Sequence, residues 1–270
     1  MNIPNYITWL VSEPSIDIRD GKKVECYKLE YDINDDKILS DWAKHIRRHY
    51  ESDEDLEESI VSIRMNKESY LRELVIPQRE MTKGPAMRSA DFGEIIFSDL
   101  LEFVKGFEVP RFKQYNRATP TQSEQGTDIL AYKFEKADYS STIDDELLAI
   151  ESKMGATSSS YSKINEAIKH SIKDELRAAV TLNYYRKKLK QMGKNEESER
   201  IARFQRKSEA DYKLRLIAAA AISRGEIEKE VNIKFTDEGE IKLEKIDSIF
   251  LIHCDNLMNL VHELYERCIE

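Results

Sequence analysis

Residues 147–154, LLAIESKM, decide the fold, because four apolar residues lead directly into Glu151 and Lys153. A short apolar run bounded by polar sequence is typical of a buried β-strand. Upstream, residues 128–135 read DILAYKFE and show the alternation that a second strand requires. We predict that the two strands pair as an antiparallel hairpin across the polar segment at 135–146.

This hairpin would bring Asp128 beside Glu151 and Lys153. Side chains two positions apart lie on the same face of a strand, and an antiparallel partner can set Asp128 next to them. Hard divalent cations such as Mg²⁺ or Mn²⁺ prefer carboxylate oxygens and take water and phosphate oxygens as further ligands. The cation would polarise a phosphate and activate water, while Lys153 would orient that water or offset charge in the transition state. The pattern predicts phosphodiester hydrolysis.

A fourth candidate, Glu94, lies in a predicted buried helix over residues 89–105, which Ser89 or Asp91 can cap and Gly106 can end. Glu94 borders the apolar arc of this helix. A carboxylate near a core is costly unless it is paired or bound to a metal. We therefore predict three metal ligands, which also act in catalysis together with Lys153: Glu94, Asp128 and Glu151.

Composition favours a well-folded, helix-rich protein, since 40% of the 270 residues are hydrophobic and 34% are charged. The strand and helix patterns together predict an α/β fold with a mixed sheet. We predict an N-terminal strand-helix region over 1–80, and over 81–270 a nuclease-like core with a long helical segment and C-terminal strands and helix. The net charge of −9 argues against a protein that binds nucleic acid over its whole surface. The N-terminal sequence lacks a leader and no apolar run is long enough to span a bilayer, so we expect a cytoplasmic protein without membrane contact.

Periodicity predicts the remaining elements. A strand at 21–30 is followed by a helix ending near Tyr50. Beyond Met154, about seventy residues are predicted to form two or three helices, and residues 230–255 to form two or three strands. A closing amphipathic helix follows.

Basic residues are concentrated in 161–194, a stretch that contains nine Lys and Arg residues and only three acidic residues. Lys and Arg neutralise the DNA backbone, although amphipathic helices also display them for solubility alone. Backbone N–H groups of Thr157 to Ser160 could also face a phosphate. The predicted nucleic-acid contacts, three before Asp128 and three in the basic stretch, are Arg111, Lys113, Arg117, Lys163, Arg186 and Lys187.

His45 and His49 have the i, i+4 spacing of half a metal site. The sequence HIRRHY lacks the intervening Glu of a metalloprotease helix. We interpret both histidines as structural or surface residues.

The order of these elements resembles the PD-(D/E)xK nuclease superfamily, in which a helix Glu, a strand Asp and the E and K of the next strand form the site. This sequence departs from the superfamily pattern in the long segment that separates Asp128 from Glu151. More specifically, FGEIIFSDLLE, QGTDILAYKF and LLAIESKMGATSS resemble the HamA family, the nuclease subunits of the Hachiman anti-phage defence system. The resemblance is best over residues 70–180.

This resemblance implies a DNA endonuclease that pairs with a HamB-like superfamily 2 helicase and needs Mg²⁺ or Mn²⁺. The chain has no GxxxxGK[ST] phosphate loop, so ATP hydrolysis would belong to the partner. Two alternatives stay open. One is a non-catalytic adaptor that binds DNA and helicase with a vestigial nuclease site, and the other is a helical scaffold in which the ESK sequence is accidental.

Overall fold

A six-stranded mixed sheet lies at the centre of the computed structural model, which describes residues 3–17, 22–155, 162–206, 208–223, 225, 227 and 243–270. Its order is β1-β2-β6-β5-β4-β3. The strands are β1 (Leu10–Asp17), β2 (Lys23–Leu29), β3 (Ile129–Lys133), β4 (Glu146–Gly155), β5 (Lys213–Ser223) and β6 (Ser248–Cys254). The four central strands, β2, β6, β5 and β4, run parallel, and an antiparallel strand closes each edge.

Helices cover both faces of the sheet. They are α1 (Asp36–Tyr50), α2 (Asp53–Ile63), α3 (Lys67–Tyr70), α4 (Gly84–Asp99), α5 (Lys163–Ser171), α6 (Asp174–Gln191), α7 (Asn195–Arg203) and α8 (Leu257–Arg267). One core forms where α1, α4 and α8 pack on the sheet, and a second core forms beneath α5, α6 and α7. Parallel strands are buried on both faces in such three-layer α/β folds.

Alternation along β4 assigns its side chains to these two layers. Leu147 and Ala149 belong to the core beneath α5 and α6, whereas Leu148 and Ile150 belong to the core beneath α4. By the same period of two, Glu151 faces the α5 and α6 layer. The end of β4 therefore presents the predicted site residues on that face.

The predicted hairpin is confirmed, since β3 pairs antiparallel with β4 and Ile129 lies opposite Ile150. The strand-helix unit at the N-terminal side is also confirmed by β2 and α1. Helix α4 ends at Asp99 and continues as a π-helical turn over Leu100–Val104, so the helical segment ends near Gly106 as expected. Its predicted start is wrong: the helix begins at Gly84 with Pro85 in its first turn, so Asp91 lies inside it and caps nothing.

The prediction of helix across 213–223 is also wrong, because this segment is the central strand β5. Its run Ala218–Ala221 has high helix propensity, but propensity is a weak prior that tertiary context overrides. Both edges of β5 bond to parallel neighbours, β4 and β6. The small alanine side chains are buried on both faces and allow α5 to pack closely on this part of the sheet.

Some of the remaining predictions concern residues that the structure does not describe. Strand β6 and helix α8 are confirmed, whereas the further strands predicted over 230–242 lie outside the described residues, as do Thr157 to Ser160. Strands β1 and β2, from the N-terminal region, join the same sheet as the later strands. Among the described helices, none combines the length and apolar character that crossing a bilayer requires.

We predict that Ala220→Leu destabilises the fold, because Ala220 is fully buried beneath the α5 and α6 layer. Inserting a larger side chain into a packed core costs about 1–3 kcal/mol. The same substitution at exposed Ala179 of α6 is the control and should change stability by less than about 0.5 kcal/mol. Urea unfolding measures both; equal stability losses would contradict the central position of β5.

Candidate functional site

The β3–β4 hairpin places Asp128 next to the Glu151-Ser152-Lys153 segment. Its register sets Ile129 opposite Ile150, so Asp128 and Glu151 are the next positions along the ladder. The Ser152 backbone N–H donates to Asp128 Oδ2 at 3.0 Å. Three of the four residues predicted to carry the chemistry therefore meet at one end of the hairpin.

The Glu151 carboxylate is buried, with 4% of its side chain exposed, and has cationic groups on two sides. The Lys153 ammonium donates to Oε1, and His170 Nδ1 of α5 lies 3.3 Å from the same oxygen. On the other side, Arg177 Nη1 of α6 is 3.8 Å from Oε2. That oxygen accepts no hydrogen bond from any group that the structure describes.

Lys153 is held in its charged form. Burial lowers the pKa of its ammonium, but the adjacent Glu151 carboxylate outweighs this effect and raises the pKa above its ordinary value. The geometry thus matches the expectation that Glu151 and Lys153 act on the same face of the strand.

Glu94 approaches from the opposite layer of the fold. Its neighbour Gly93 packs against Ser152 and Met154, where a Cβ would come within 3.2 Å of Ser152 Oγ, so α4 can lie close to β4. Glu94 reaches Asp128 through Lys113, whose Nζ lies 3.8 Å from Glu94 Oε1 and 3.5 Å from Asp128 Oδ1. Lys113 thus links Glu94 to Asp128, and Lys153 bonds to Glu151.

Burial raises the pKa of Glu94 to about 8, and the Lys113 charge offsets this only in part. Gln114 Nε2 donates to Glu94 Oε2 at 2.7 Å. A cation bound beside this carboxyl would favour its charged form.

Asp174 is a site residue that sequence reasoning missed. It is the first residue of α6, it is completely buried, and neither of its oxygens has a hydrogen-bond partner within the described ranges. Burial, reinforced by the charges of Glu151 and Asp128, raises the pKa of Asp174 to about 7. An acid in a first helical turn usually faces solvent, but Asp174 is four positions before buried Ala178, and that spacing was the available signal.

All three predicted DNA contacts in the loop lie against internal carboxylates, including buried Lys113 through Glu94 and Asp128. Arg117 donates to both oxygens of Asp91 at 2.5 and 2.7 Å, and only 3% of its side chain is exposed. Arg111 contacts Asp99 at 2.8 Å and Glu102 at 2.6 Å. The sequence does not reveal which carboxylates a loop cation will meet, and contact of these residues with DNA stays a prediction.

The remaining predicted contacts lie on α5 and α6. Lys163 pairs with Glu166 at 2.7 Å, and Arg186 donates to Asn183 at 3.0 Å. Lys187 is exposed. His170 and Arg177, both partly exposed, join this basic face to Glu151.

His45, His49 and Asp99 form a separate cluster whose potential ligand atoms all lie within 4.8 Å of one another. Arg111 already fills it, with Nη1 placed 3.1 Å from His49 Nε2 and 2.8 Å from Asp99 Oδ1. Burial, followed by the Arg111 charge, holds the pKa of His49 well below its ordinary value. The cluster is a hydrogen-bonded ion pair network, in line with the structural interpretation of the two histidines.

Glu94, Asp128 and Glu151 do not form an equally compact group in the part of the chain described. Their chemistry still fits a hard divalent cation, because all donors are carboxylate oxygens and Glu151 Oε2 is buried without a hydrogen bond. Lys113 and Lys153 occupy the neighbourhood of these oxygens, as expected where like charges would otherwise repel.

Comparison with known proteins gives one result on family. A search of curated proteins returns no match. A protein-family model described as HamA matches residues 4–268. Because the match covers nearly the whole chain, from the 3-10 turn before β1 to the end of α8, this protein belongs to the HamA family.

Proposed function

We propose that this HamA family member is a metal-dependent DNA endonuclease subunit of the PD-(D/E)xK type. The observation that carries the proposal is the meeting of Asp128, Glu151 and Lys153 at one end of a hairpin, with Lys113 linking Asp128 to Glu94. An antiparallel β3–β4 pair, followed by helices and a parallel β5, supports a core of that superfamily.

Each residue has a role in this proposal. Asp128, Glu151 and Glu94 supply oxygen ligands for Mg²⁺ or Mn²⁺, which when bound polarises the phosphate and activates water. Lys153, kept charged by Glu151, orients the attacking water and stabilises negative charge that develops on the phosphate. The exposed basic side chains of α6, including Lys187, position the DNA backbone.

The arrangement of the lysines also supports restraint of the activity. Lys113 lies between Glu94 and Asp128, and Lys153 bonds to Glu151, so the carboxylates are partly neutralised by the chain itself. A cation that enters has to compete with these ammonium groups. We propose that a HamB-like superfamily 2 helicase, bound with DNA in Hachiman anti-phage defence, favours the metal-loaded arrangement.

A non-catalytic adaptor is the second candidate. It is favoured by one observation, that the ligand atoms of Glu94, Asp128 and Glu151 do not come together as closely as those of the His45 cluster. In that case the site would be vestigial, and the chain would serve to bind DNA and the helicase. The two candidates differ in whether substitutions at the site change cleavage.

We expect Lys153→Ala and Asp128→Ala each to lower Mg²⁺-dependent cleavage of supercoiled plasmid by about a hundredfold or more, the cost typical of losing one group that stabilises transition-state charge. Cleavage is measured with purified chain, alone and with the helicase partner. Exposed residues of the same hairpin provide matched controls, Lys133→Ala and Asp144→Ala, which should cut like wild type.

Thermal unfolding of each variant separates loss of chemistry from loss of fold. Equal cleavage by wild type, site variants and controls, with every metal and DNA form, would favour the adaptor over the nuclease. Cleavage that falls in the controls as much as in the site variants would likewise count against a site at the hairpin end.

DNA binding through α6 is tested separately. In EDTA, Arg186→Gln with Lys187→Gln should weaken binding to duplex DNA and make the slope of log K against log salt shallower by about 2, since each phosphate contact contributes roughly 0.9. The control removes two exposed lysines, Lys133→Gln with Lys136→Gln, and should leave the slope unchanged. An unchanged slope in the α6 variant would show that these residues serve solubility.

A further inference from the structure

Three buried side chains near the end of β4 carry oxygens that have no hydrogen-bond partner among the described residues. They are Glu151 through Oε2, Asp174 through both carboxylate oxygens, and Thr127 through its hydroxyl. Asp174 and Thr127 are fully buried. These oxygens have no satisfying partner anywhere in the ranges that the structure describes.

Arg177 and Thr127 show that these side chains are neighbours. Arg177 Nη1 lies 3.8 Å from Glu151 Oε2 and 3.8 Å from Asp174 Oδ1, so the two carboxylates face the same cation. The Thr127 hydroxyl also neighbours the Asp174 carboxyl, although the two do not form a hydrogen bond of normal geometry. Asp128 follows Thr127 directly in the chain, which ties these side chains to the proposed nuclease site.

Arg177 does not satisfy the two carboxylates. At 3.8 Å it is beyond hydrogen-bonding distance from either oxygen, and 42% of its side chain is exposed to water. Lys153 and His170 contact the other oxygen of Glu151. The charged form of a buried carboxyl group that has no hydrogen bond is strongly unfavourable unless a cation compensates it.

We propose that Asp174 is a metal ligand, which together with Glu151 Oε2 and the Thr127 hydroxyl holds a divalent cation of the Mg²⁺ or Mn²⁺ class. All three groups offer oxygen, the donor that such cations prefer. The inference rests on the proposed function, since this cation is the one that the nuclease reaction requires. It adds a residue from α6, and so extends the site beyond Glu94, Asp128, Glu151 and Lys153.

The position of Asp174 also connects the proposed cation site to α6, the helix that carries the basic residues. Asp174 begins α6, the helix that carries Arg177, Arg186 and Lys187. Cation binding at its first residue would fix the start of this helix relative to β4. Metal and DNA sites would then be held by one rigid element.

The test is Mn²⁺ binding by the full chain, followed by the electron paramagnetic resonance signal of free Mn²⁺. We expect Asp174→Asn to weaken Mn²⁺ affinity by at least about tenfold, since loss of even an outer-shell partner of a metal costs 10–100-fold. The matched control is Glu175→Gln, the next residue in the chain, which is exposed and pairs with Lys245. Its affinity should equal that of wild type.

Asp174→Asn removes a buried charge without changing shape, so its melting temperature in EDTA should be equal to or above that of wild type. If the variant fails to fold, Thr127→Val takes its place, because valine has a similar volume and lacks the hydroxyl. A severalfold loss of Mn²⁺ affinity in that variant supports the proposal. Wild-type affinity in the folded variant overturns it.

Affinity and cleavage together separate this inference from the nuclease proposal. If Mn²⁺ binds through Asp174 but plasmid stays intact with every partner, the ligand assignment stands and the nuclease proposal fails. If wild type cuts plasmid and Asp174→Asn keeps full Mn²⁺ affinity, the ligand assignment fails and the nuclease proposal stands. A wild-type chain that binds no Mn²⁺ overturns the ligand assignment.

Discussion

Buried carboxylates around the β3–β4 hairpin have to be neutralised, and much of the surrounding structure meets that requirement. Removing an ion from water costs several kcal/mol unless a partner compensates it. Within α4 alone, Asp91 is held by Arg117, Glu94 by Gln114 and Lys113, and Asp99 by Arg111. All of these partners come from one loop, so the acids of α4 determine where that loop lies.

This dependence explains how a loop without regular structure holds a fixed position. Tyr50 donates to Asp91 at 2.6 Å and contacts the Tyr265 hydroxyl at 2.9 Å, so the Arg117 pair is also joined to α1 and α8. Between the anchored ends Arg111 and Arg117, Lys113 is the loop cation that reaches both α4 and Asp128.

Sequence predicted the parts of the site that depend on local periodicity. Alternation placed Glu151 and Lys153 on one face, and the apolar strand pair predicted that Asp128 would lie beside them. It failed where long-range partners decide. The alanines of β5 read as helix because their burial between two strands is not local, and the carboxylate partners of Arg111 and Arg117 could not be predicted because they lie in α4.

The edge position of β3 accounts for a site shared between two layers. Helix α4 packs on one face of the sheet, whereas Glu151 meets α5 and α6 on the other, so Glu94 and Glu151 approach the end of the sheet from different layers. Asp128 stands just before the first residue of the edge strand, where side chains of both layers can pass around the sheet end. The same geometry requires the chain to supply bridging charge, from Lys113 on one side and Lys153 on the other, wherever a divalent cation is not bound.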